Sequence, residues 1–292
     1  MRVELYAQCW NEAERLGFLF RHYDPIVDRY VIYDDGSDDG SIEILRRHPK
    51  VDLRRLPPYS DPTSRLLSDL NFLNNVWYES RGVADWVLIA DIDEHFYHPN
   101  LTEYLRDCHQ LGVTLIPALG YQMISNIFPE PADLLLSASL SKGAPWWVMS
   151  KLGFFAPDRI QAINYGIGRH TCTPSGPLML PPRDELLLLH YKYLDLDRTH
   201  RRHESLGVRS RENDIANGFG HKYFWSKDQL AEEWHRFEAQ LVDISDPSID
   251  HHSSHQGPRW WASLPRVQQE CPRELNTASP HPPPQAGASG GG

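Results

Sequence analysis

The chain has 292 residues and a formal net charge of −10, with 40% hydrophobic and 23% charged residues. These values are typical of a globular protein and exclude a fully disordered, collagen-like or fibrous chain. The net negative charge also disfavours non-specific attraction to nucleic acid or anionic lipid, so we expect no nucleic-acid partner.

The cysteines and the apolar runs indicate the cellular compartment. The four cysteines lie far apart without a CxxC pair, and no basic region followed by an apolar stretch opens the sequence. We therefore predict a reducing, cytoplasmic location. No apolar run approaches the roughly 18 residues of a membrane-spanning helix, although peripheral contact with a membrane stays open.

The first half of the chain alternates short apolar runs with amphipathic segments. The predicted strands are residues 3–8, 29–33, 51–56 and 85–91. The predicted helices are residues 11–22, with Asn11 as the N-cap, 41–47 and 63–80. This alternation is typical of an α/β fold with a Rossmann-like, doubly wound and mostly parallel sheet.

The second half of the chain is less regular. A helix capped by Asn100 and Glu103 and a strand at 113–117 are followed, after about residue 120, by an irregular region with an apolar strand at 186–190 and a helix at 229–242. We predict one domain over residues 1–245. Residues 246–292 are rich in Pro, Ser, His and Gly and are predicted to be a largely disordered tail, whose first part Trp260 and Trp261 can dock on the body.

Two acidic segments follow predicted strands. Asp91, Asp93 and Glu94 come at the end of the strand 85–91, and period two places Asp91 and Asp93 on one side if the strand continues. The turn 34–41, with the sequence DDGSDDGS, follows an earlier strand. The carboxyl ends of parallel strands collect ligands, so these acids indicate a cleft for a nucleotide and for Mg²⁺ or Mn²⁺.

These segments resemble the family-2-like glycosyltransferases of the GT-A fold, in the bacterial branch with the motifs NEA, YDDGS, DWV and DIDE. The match covers Asn11–Ala13, His22–Tyr23, Val27–Asp28, Tyr33–Ser41, Asn74–Asn75 with Trp77, and Asp85–Glu94 in the family's order. The stretches 165–170, 186–192 and 218–223 also resemble this branch. The resemblance implies a GT-A fold whose irregular C-terminal half faces the acceptor. It also implies a metal-dependent transfer of a sugar from a nucleotide sugar, such as a UDP-sugar, to a hydroxyl group, as in polysaccharide biosynthesis.

The resemblance also assigns site residues. The nucleotide-binding candidates are Gln8, Asn11, Glu12, Asp34, Asp35, Asp69 and Asp91. The metal candidates are Asp91 and Asp93, with His190 as a third ligand and His170 and His221 as alternatives. The acceptor is left open among a saccharide, a lipid-linked saccharide and a small molecule.

The catalytic base is left unassigned, because the acidic dipeptide usual in this family is not visible. The acids in plausible regions are Glu94, Glu130, Asp133 and Asp184. A basic stretch from Arg198 to Arg211 suits either a solvated helix face or a clamp for an anionic group. Two other functions stay open: a non-catalytic protein that binds nucleotide sugars or carbohydrates, and a phosphatase with a DxD motif.

Overall fold

The computed structural model describes residues 1–130 and 135–268. The first half contains the strands β1 (Val3–Cys9), β2 (Arg29–Asp34), β3 (Val51–Arg55) and β4 (Trp86–Ile89). Its helices are α1 (Ala13–Tyr23), α2 (Ser41–Arg47) and α3 (Arg65–Leu73), with a 3-10 turn at Val76–Ser80. The four strands are parallel in the order β3-β2-β1-β4.

The second half adds six strands, largely antiparallel to their neighbours. The strands are β5 (Glu94–Tyr97), β6 (Leu115–Ser125), β7 (Lys142–Pro145), β8 (Lys151–Phe155), β9 (Leu187–Leu194) and β10 (Val242–Asp243). The helices are α4 (Leu101–Gln110), α5 (Leu136–Ser139), α6 (Leu196–Val208), α7 (Glu212–Ala216), α8 (Lys227–Glu238) and α9 (His251–Ser254). Three 3-10 turns lie at Trp147–Met149, Ile167–Arg169 and His221–Phe224.

One sheet joins the two halves. β8 pairs with β4 and β6, and β9 pairs in parallel with β6 and antiparallel with β5. Alternate residues of β1 face opposite layers, since Val3 and Leu5 belong to one buried cluster and Tyr6 to another. Both faces of the sheet are therefore covered, and the predicted α/β class with a doubly wound parallel first half is confirmed.

Two helix caps differ from the prediction. The helix α1 begins at Ala13, and its first amide donates to Asp39 Oδ2 at 2.9 Å rather than to Asn11. The side chain of Asn100 makes no capping hydrogen bond with α4. In α1 a carboxylate brought from a separate turn satisfies the free amide, which local spacing does not reveal.

The segment after the predicted boundary at residue 245 is folded as far as residue 268. Asp184 is fully buried and accepts hydrogen bonds from Arg259 at 2.6 Å, from Arg266 at 2.7 Å and from the indole of Trp261 at 3.1 Å. His255 is also buried and contacts the carbonyl of Gly120 at 2.7 Å. The rest of the predicted tail lies outside the described residues.

Truncation should separate the anchored part of this segment from the remainder. A chain ending at residue 258 loses three partners of Asp184, and we expect it to lose about 3–5 kcal/mol of stability because a buried charge is left poorly compensated. A chain ending at residue 268 keeps these contacts and should melt like the full chain. Equal melting temperatures for the two truncated proteins would contradict this anchoring role.

Buried histidines predict destabilisation by acid. The rings of His22 and His95 stack at 4.6 Å, and burial lowers the pKa of His22 to about 4 and that of His95 well below its usual value. An unfolded histidine has a pKa of about 6.5, so the unfolded chain takes up protons first as the pH falls. The free energy of unfolding should therefore fall between about pH 6.5 and 4, by up to about 1.4 kcal/mol per pH unit for each histidine.

Urea unfolding at a series of pH values checks this prediction. The His95→Phe variant should show a shallower decline than the parent protein over the same window, because one buried proton acceptor has been removed. An identical slope in the variant would show that His95 does not contribute.

In the described part of the chain, none of the helices has the length and apolar character that crossing a bilayer requires.

Candidate active site

A cleft of about 440 Å³ opens at the carboxyl ends of β1, β2 and β4. Gln8, Asp35 and Asp91 enter it from the parallel half, and His190 and His203 enter it from β9 and α6. The cleft therefore lies between the two halves, at the sheet edge where ligands of open α/β sheets bind.

Most acidic side chains of the turn 34–41 form hydrogen bonds that stabilise the turn itself or attach it to a neighbouring segment. Asp34 is buried and accepts hydrogen bonds from the amides of Gly36 and Ser37. The side chain of Asn11 exchanges hydrogen bonds with Asp38 at 2.8 and 2.9 Å. Of the two candidate acids at the start of this turn, Asp35 lines the cleft, whereas Asp34 holds the turn.

Two arginines, one within α6 and one directly after it, form ion pairs with acids at the cleft. Arg209 is hydrogen-bonded to Asp35, and Arg202 is hydrogen-bonded to Glu12. Both guanidinium groups also lie over the ring of Trp10, at 4.0 Å for Arg209 and 4.9 Å for Arg202. Two arginines of the basic stretch are therefore paired with carboxylates of the protein at the cleft, and a clamp for an anionic ligand stays a prediction.

Gln8 and Asp69 are joined across the floor of the cleft. The amide nitrogen of Gln8 donates to Asp69 Oδ1 at 3.2 Å, and Arg65 lies 3.6 Å from the same carboxylate. Burial raises the pKa of Asp69 to about 6, although Arg65 and Gln8 oppose this. The two predicted nucleotide contacts are thus held together in one place.

A buried cluster of ion pairs holds the backbone segment that follows β4. Glu94 is fully buried and contacts Lys151 at 2.5 Å and Arg169 at 2.8 Å, while Arg169 also contacts Asp91 at 2.9 Å. Burial alone would raise the pKa of Glu94, but the two cations hold it well below its usual range. Arg169 itself has a φ of 60°, a strained backbone conformation that directs a buried guanidinium to the site.

Asp93, in the same segment after β4, faces His190 of β9. Their Oδ2 and Nε2 atoms are 3.9 Å apart, which is too long for a hydrogen bond. His190 Nδ1 lies 2.7 Å from Gln122 Oε1, so Nδ1 carries the proton and Nε2 carries the lone pair. Burial lowers the pKa of His190 to about 4, which keeps the ring neutral near pH 7.

The donor atoms of this pair fit a divalent cation. A neutral imidazole oriented by a second hydrogen bond and a carboxylate are ligands that Mn²⁺ accepts. Burial opposes ionisation of Asp93, but His190, Lys192 and Arg15 lower its pKa overall. Among residues 1–130 and 135–268, however, no group of three or more His, Cys, Asp or Glu is arranged as a metal site.

The predicted ligand set is therefore only partly assembled, since Asp91 is ion-paired with Arg169. The alternatives His170 and His221 both line the cleft. Burial lowers the pKa of His170 to about 3, and its Nδ1 has no hydrogen-bond partner among the described residues. His221 is exposed and packs its ring against Trp225 at 5.6 Å.

The candidates for a catalytic base are dispersed. Glu94 is ion-paired in the buried cluster, and Asp184 anchors the C-terminal segment. Glu130 is exposed at the end of the first described range, and Asp133 lies outside the described residues. The base stays unassigned.

Sequence reasoning missed most of the basic side chains of the cleft. The cations that line it are Arg15, Arg65, Lys151, Arg169, Lys192, Arg202 and Lys222. Three of them stand in segments that resemble the family, at Arg169, Lys192 and Lys222, and this position was the signal that could have found them. Their partners are distant in sequence, so spacing alone does not reveal the pairs.

No protein-family model matches the chain, and no curated protein matches it in sequence. Solved structures that it resembles include S. aureus TarS 1-349 in complex with UDP, at 14% identity and a TM-score of 0.33 over 54% of this chain and 47% of that one. S. aureus TarS matches at 12% identity and a TM-score of 0.34, over 80% of this chain and 43% of that one.

A third solved structure is glucosyl-3-phosphoglycerate synthase from Mycobacterium tuberculosis in complex with Mn²⁺, UDP-glucose and phosphoglyceric acid. It matches at 16% identity and a TM-score of 0.34, over 57% of this chain and 61% of that one. The chain thus spans 43% to 61% of the length of these proteins. Similarity at this level does not decide the function of this chain.

Proposed function

We propose that this chain is a GT-A glycosyltransferase that moves a sugar from a nucleoside diphosphate sugar to a hydroxyl group. The observation that carries the proposal is the convergence of Asp35, Asp69, Asp93 and His190 on one cleft at the carboxyl ends of the parallel strands. Such a cleft combines hydrogen-bond acceptors for a nucleoside with ligands for a divalent cation.

The nucleoside would bind beside β1 and β2. The Asp35 carboxylate accepts hydrogen bonds in the structure from Tyr59 at 2.8 Å and from Arg209, and it can accept one from a ribose hydroxyl or a base imide. Gln8 and Asp69 add an amide and a second carboxylate to the same side. Trp10, which lies under Arg202 and Arg209, provides an apolar ring at the cleft wall.

The metal would be held by Asp93 and His190, with diphosphate oxygens completing its coordination. A bound divalent cation supplies Lewis-acid stabilisation of the departing diphosphate. Gln122 keeps His190 in the tautomer that presents Nε2 to the cleft. The Glu94, Lys151 and Arg169 cluster fixes the backbone that carries Asp93, because it bonds the Asp91 amide and the Ile89 carbonyl.

The alternatives are less well supported by this arrangement. A phosphatase of the DxD kind needs its first aspartate as a free nucleophile, whereas Asp91 is paired with Arg169. A non-catalytic binding protein would not need a carboxylate and an imidazole oriented toward a metal ion. Manganese rather than magnesium follows from the imidazole ligand, and the cytoplasmic location remains a prediction.

Neighbouring alanine variants test the nucleoside assignment. Asp35→Ala should weaken the binding of UDP by about tenfold, because it removes a charged acceptor from the cleft. Asp34→Ala removes the acceptor that holds the turn, so it should lower the melting temperature more than the Asp35 variant does. Calorimetric titration and thermal melting check both effects. Unchanged UDP affinity in the Asp35→Ala protein would remove this residue from the site.

A further inference from the structure

Three basic side chains line one side of the cleft, where β9, α6 and the 3-10 turn His221–Phe224 meet. They are Lys192, His203 and Lys222. The ammonium group of Lys192 lies 4.8 Å from the ring of Tyr223, and the ring of His203 lies 5.6 Å from the same ring. The ammonium group of Lys222 lies 4.7 Å from the ring of Trp146. Aromatic walls thus hold two ammonium groups and an imidazole at one end of the cavity.

Among the described residues, the cations of this cluster outnumber the carboxylates that pair with them. Lys222 contacts Glu233 at 2.6 Å, but Glu233 is shared with Arg236 at 2.7 Å and with the hydroxyl of Tyr193. Lys192 forms no ion pair with any carboxylate among the described residues. Glu233 thus serves two cations, and the carboxylate that Lys192 influences is the more distant Asp93, so positive charge is in excess at this end of the cleft.

His203 provides the observation that points to a ligand. The side chain is 2% exposed, and the backbone of Lys222 gives it one weak contact, but neither ring nitrogen has a partner at ordinary hydrogen-bond distance and angle among residues 1–130 and 135–268. Burial, reinforced by Lys192 and Lys222, lowers the pKa of His203 to about 2, so the ring is neutral with one donor and one acceptor. A buried ring nitrogen without a well-formed hydrogen bond is costly, and a bound polar group relieves that cost.

We propose that Lys192, Lys222 and His203 form an anion-binding subsite for the acceptor, so that the acceptor carries a phosphate or carboxylate near the hydroxyl that receives the sugar. This inference rests on the proposed function, which assigns the other side of the cleft to the donor. The partners of the cluster lie on β9, on α8, in the turn His221–Phe224 and just after β7, whereas the nucleoside candidates lie on β1, after β2 and on α3. Asp93 and His190 line the same cleft as both groups.

The probe for this subsite is inorganic phosphate, titrated calorimetrically into the protein saturated with UDP and Mn²⁺. Lys192→Gln and His203→Phe should each weaken phosphate binding by about tenfold or more, because each removes a charged or polar contact from a buried subsite. Lys192→Arg should keep most of the affinity. The matched control is Lys227→Gln on α8, where the lysine pairs with Asp197 at 2.5 Å and is half-exposed; its phosphate affinity should stay within about twofold.

A parallel titration of UDP into the same proteins identifies which substrate the cluster serves. Acceptor binding predicts UDP affinities that stay within about twofold of the parent value in the His203→Phe protein. A loss of UDP affinity that matches the loss of phosphate affinity would assign the cluster to the donor diphosphate and overturn the proposal. Phosphate binding that is equal in the parent and in both variants, or absent from the parent, would also overturn it.

The two proposals fail in different ways. If no nucleotide binds to the parent protein, the glycosyltransferase function fails. Phosphate titrated into the nucleotide-free protein then still decides whether Lys192 and His203 hold an anion. Melting temperatures of all variants show whether a lost affinity comes from lost folding.

Discussion

The Asp93→Asn protein should turn over a nucleotide sugar at least about 100-fold more slowly than the parent, because Lewis-acid stabilisation of the leaving group contributes several kcal/mol. Asparagine keeps the shape of the side chain but removes the charge that faces His190 Nε2 across 3.9 Å. Stability should change little, since among the described residues the Asp93 side chain has no ion-pair partner closer than His190, at 3.9 Å. Initial rates at increasing Mn²⁺ concentration, with melting temperature beside them, measure both effects.

Two further variants sharpen this test. The Asp197→Asn variant changes an exposed aspartate of α6 that is paired with Lys227, and it should keep the parent rate. His190→Ala should lower the rate less than Asp93→Asn does, because a water molecule can replace the imidazole. An Asp93→Asn enzyme as fast as the parent, or full activity in excess chelator, would eliminate the metal mechanism.

The Arg169→Met protein should lose about 3–5 kcal/mol of stability, because the change leaves the buried carboxylate of Glu94 with one cation instead of two. In the parent, Arg169 is buried and holds Glu94, Asp91 and the carbonyl of Ile89 together. Urea unfolding measures the loss. The control is Arg183→Met, which breaks an exposed pair with Asp250 and should cost less than about 1 kcal/mol.

A second substitution distinguishes charge from packing. Arg169→Met combined with Glu94→Gln should recover part of the lost stability, because one negative charge of the buried cluster is removed with the positive one. If the double variant is as unstable as the sum of the two single variants, the cost comes from packing, and the ion cluster does not explain the effect.

The parallel half could be predicted from the sequence because its signals are local. Period-two apolar runs and amphipathic segments lie next to each other along the chain, and the acids that follow β2 and β4 come directly after their strands. Parallel topology then brings Asp35 and Asp93 to one sheet edge. The helix predicted over residues 63–80 ends at Leu73 and is followed by a separate 3-10 turn at Val76–Ser80. Hydrophobic periodicity does not predict such a short interruption.

The electrostatics of the cleft could not be predicted, because they depend on contacts between distant residues. Arg169 meets Glu94 from 75 residues away, and Arg202 meets Glu12 from 190 residues away. The strand β5, which starts at Glu94, also escaped prediction, since its partner β9 lies almost a hundred residues later. A sequence motif predicts which acidic side chains reach the cleft. It does not predict which basic side chains form ion pairs with them.

The central claim is that this cleft binds a nucleoside diphosphate through a divalent cation held by Asp93 and His190. Calorimetric titration of UDP into the parent protein, once with Mn²⁺ and once with chelator, tests it most directly. We expect Mn²⁺ to tighten UDP binding by at least about tenfold, since the ion joins the diphosphate to two protein ligands, and we expect Asp93→Asn to abolish that gain. Binding of UDP that is equally tight in chelator, or no binding of UDP under either condition, would contradict the claim.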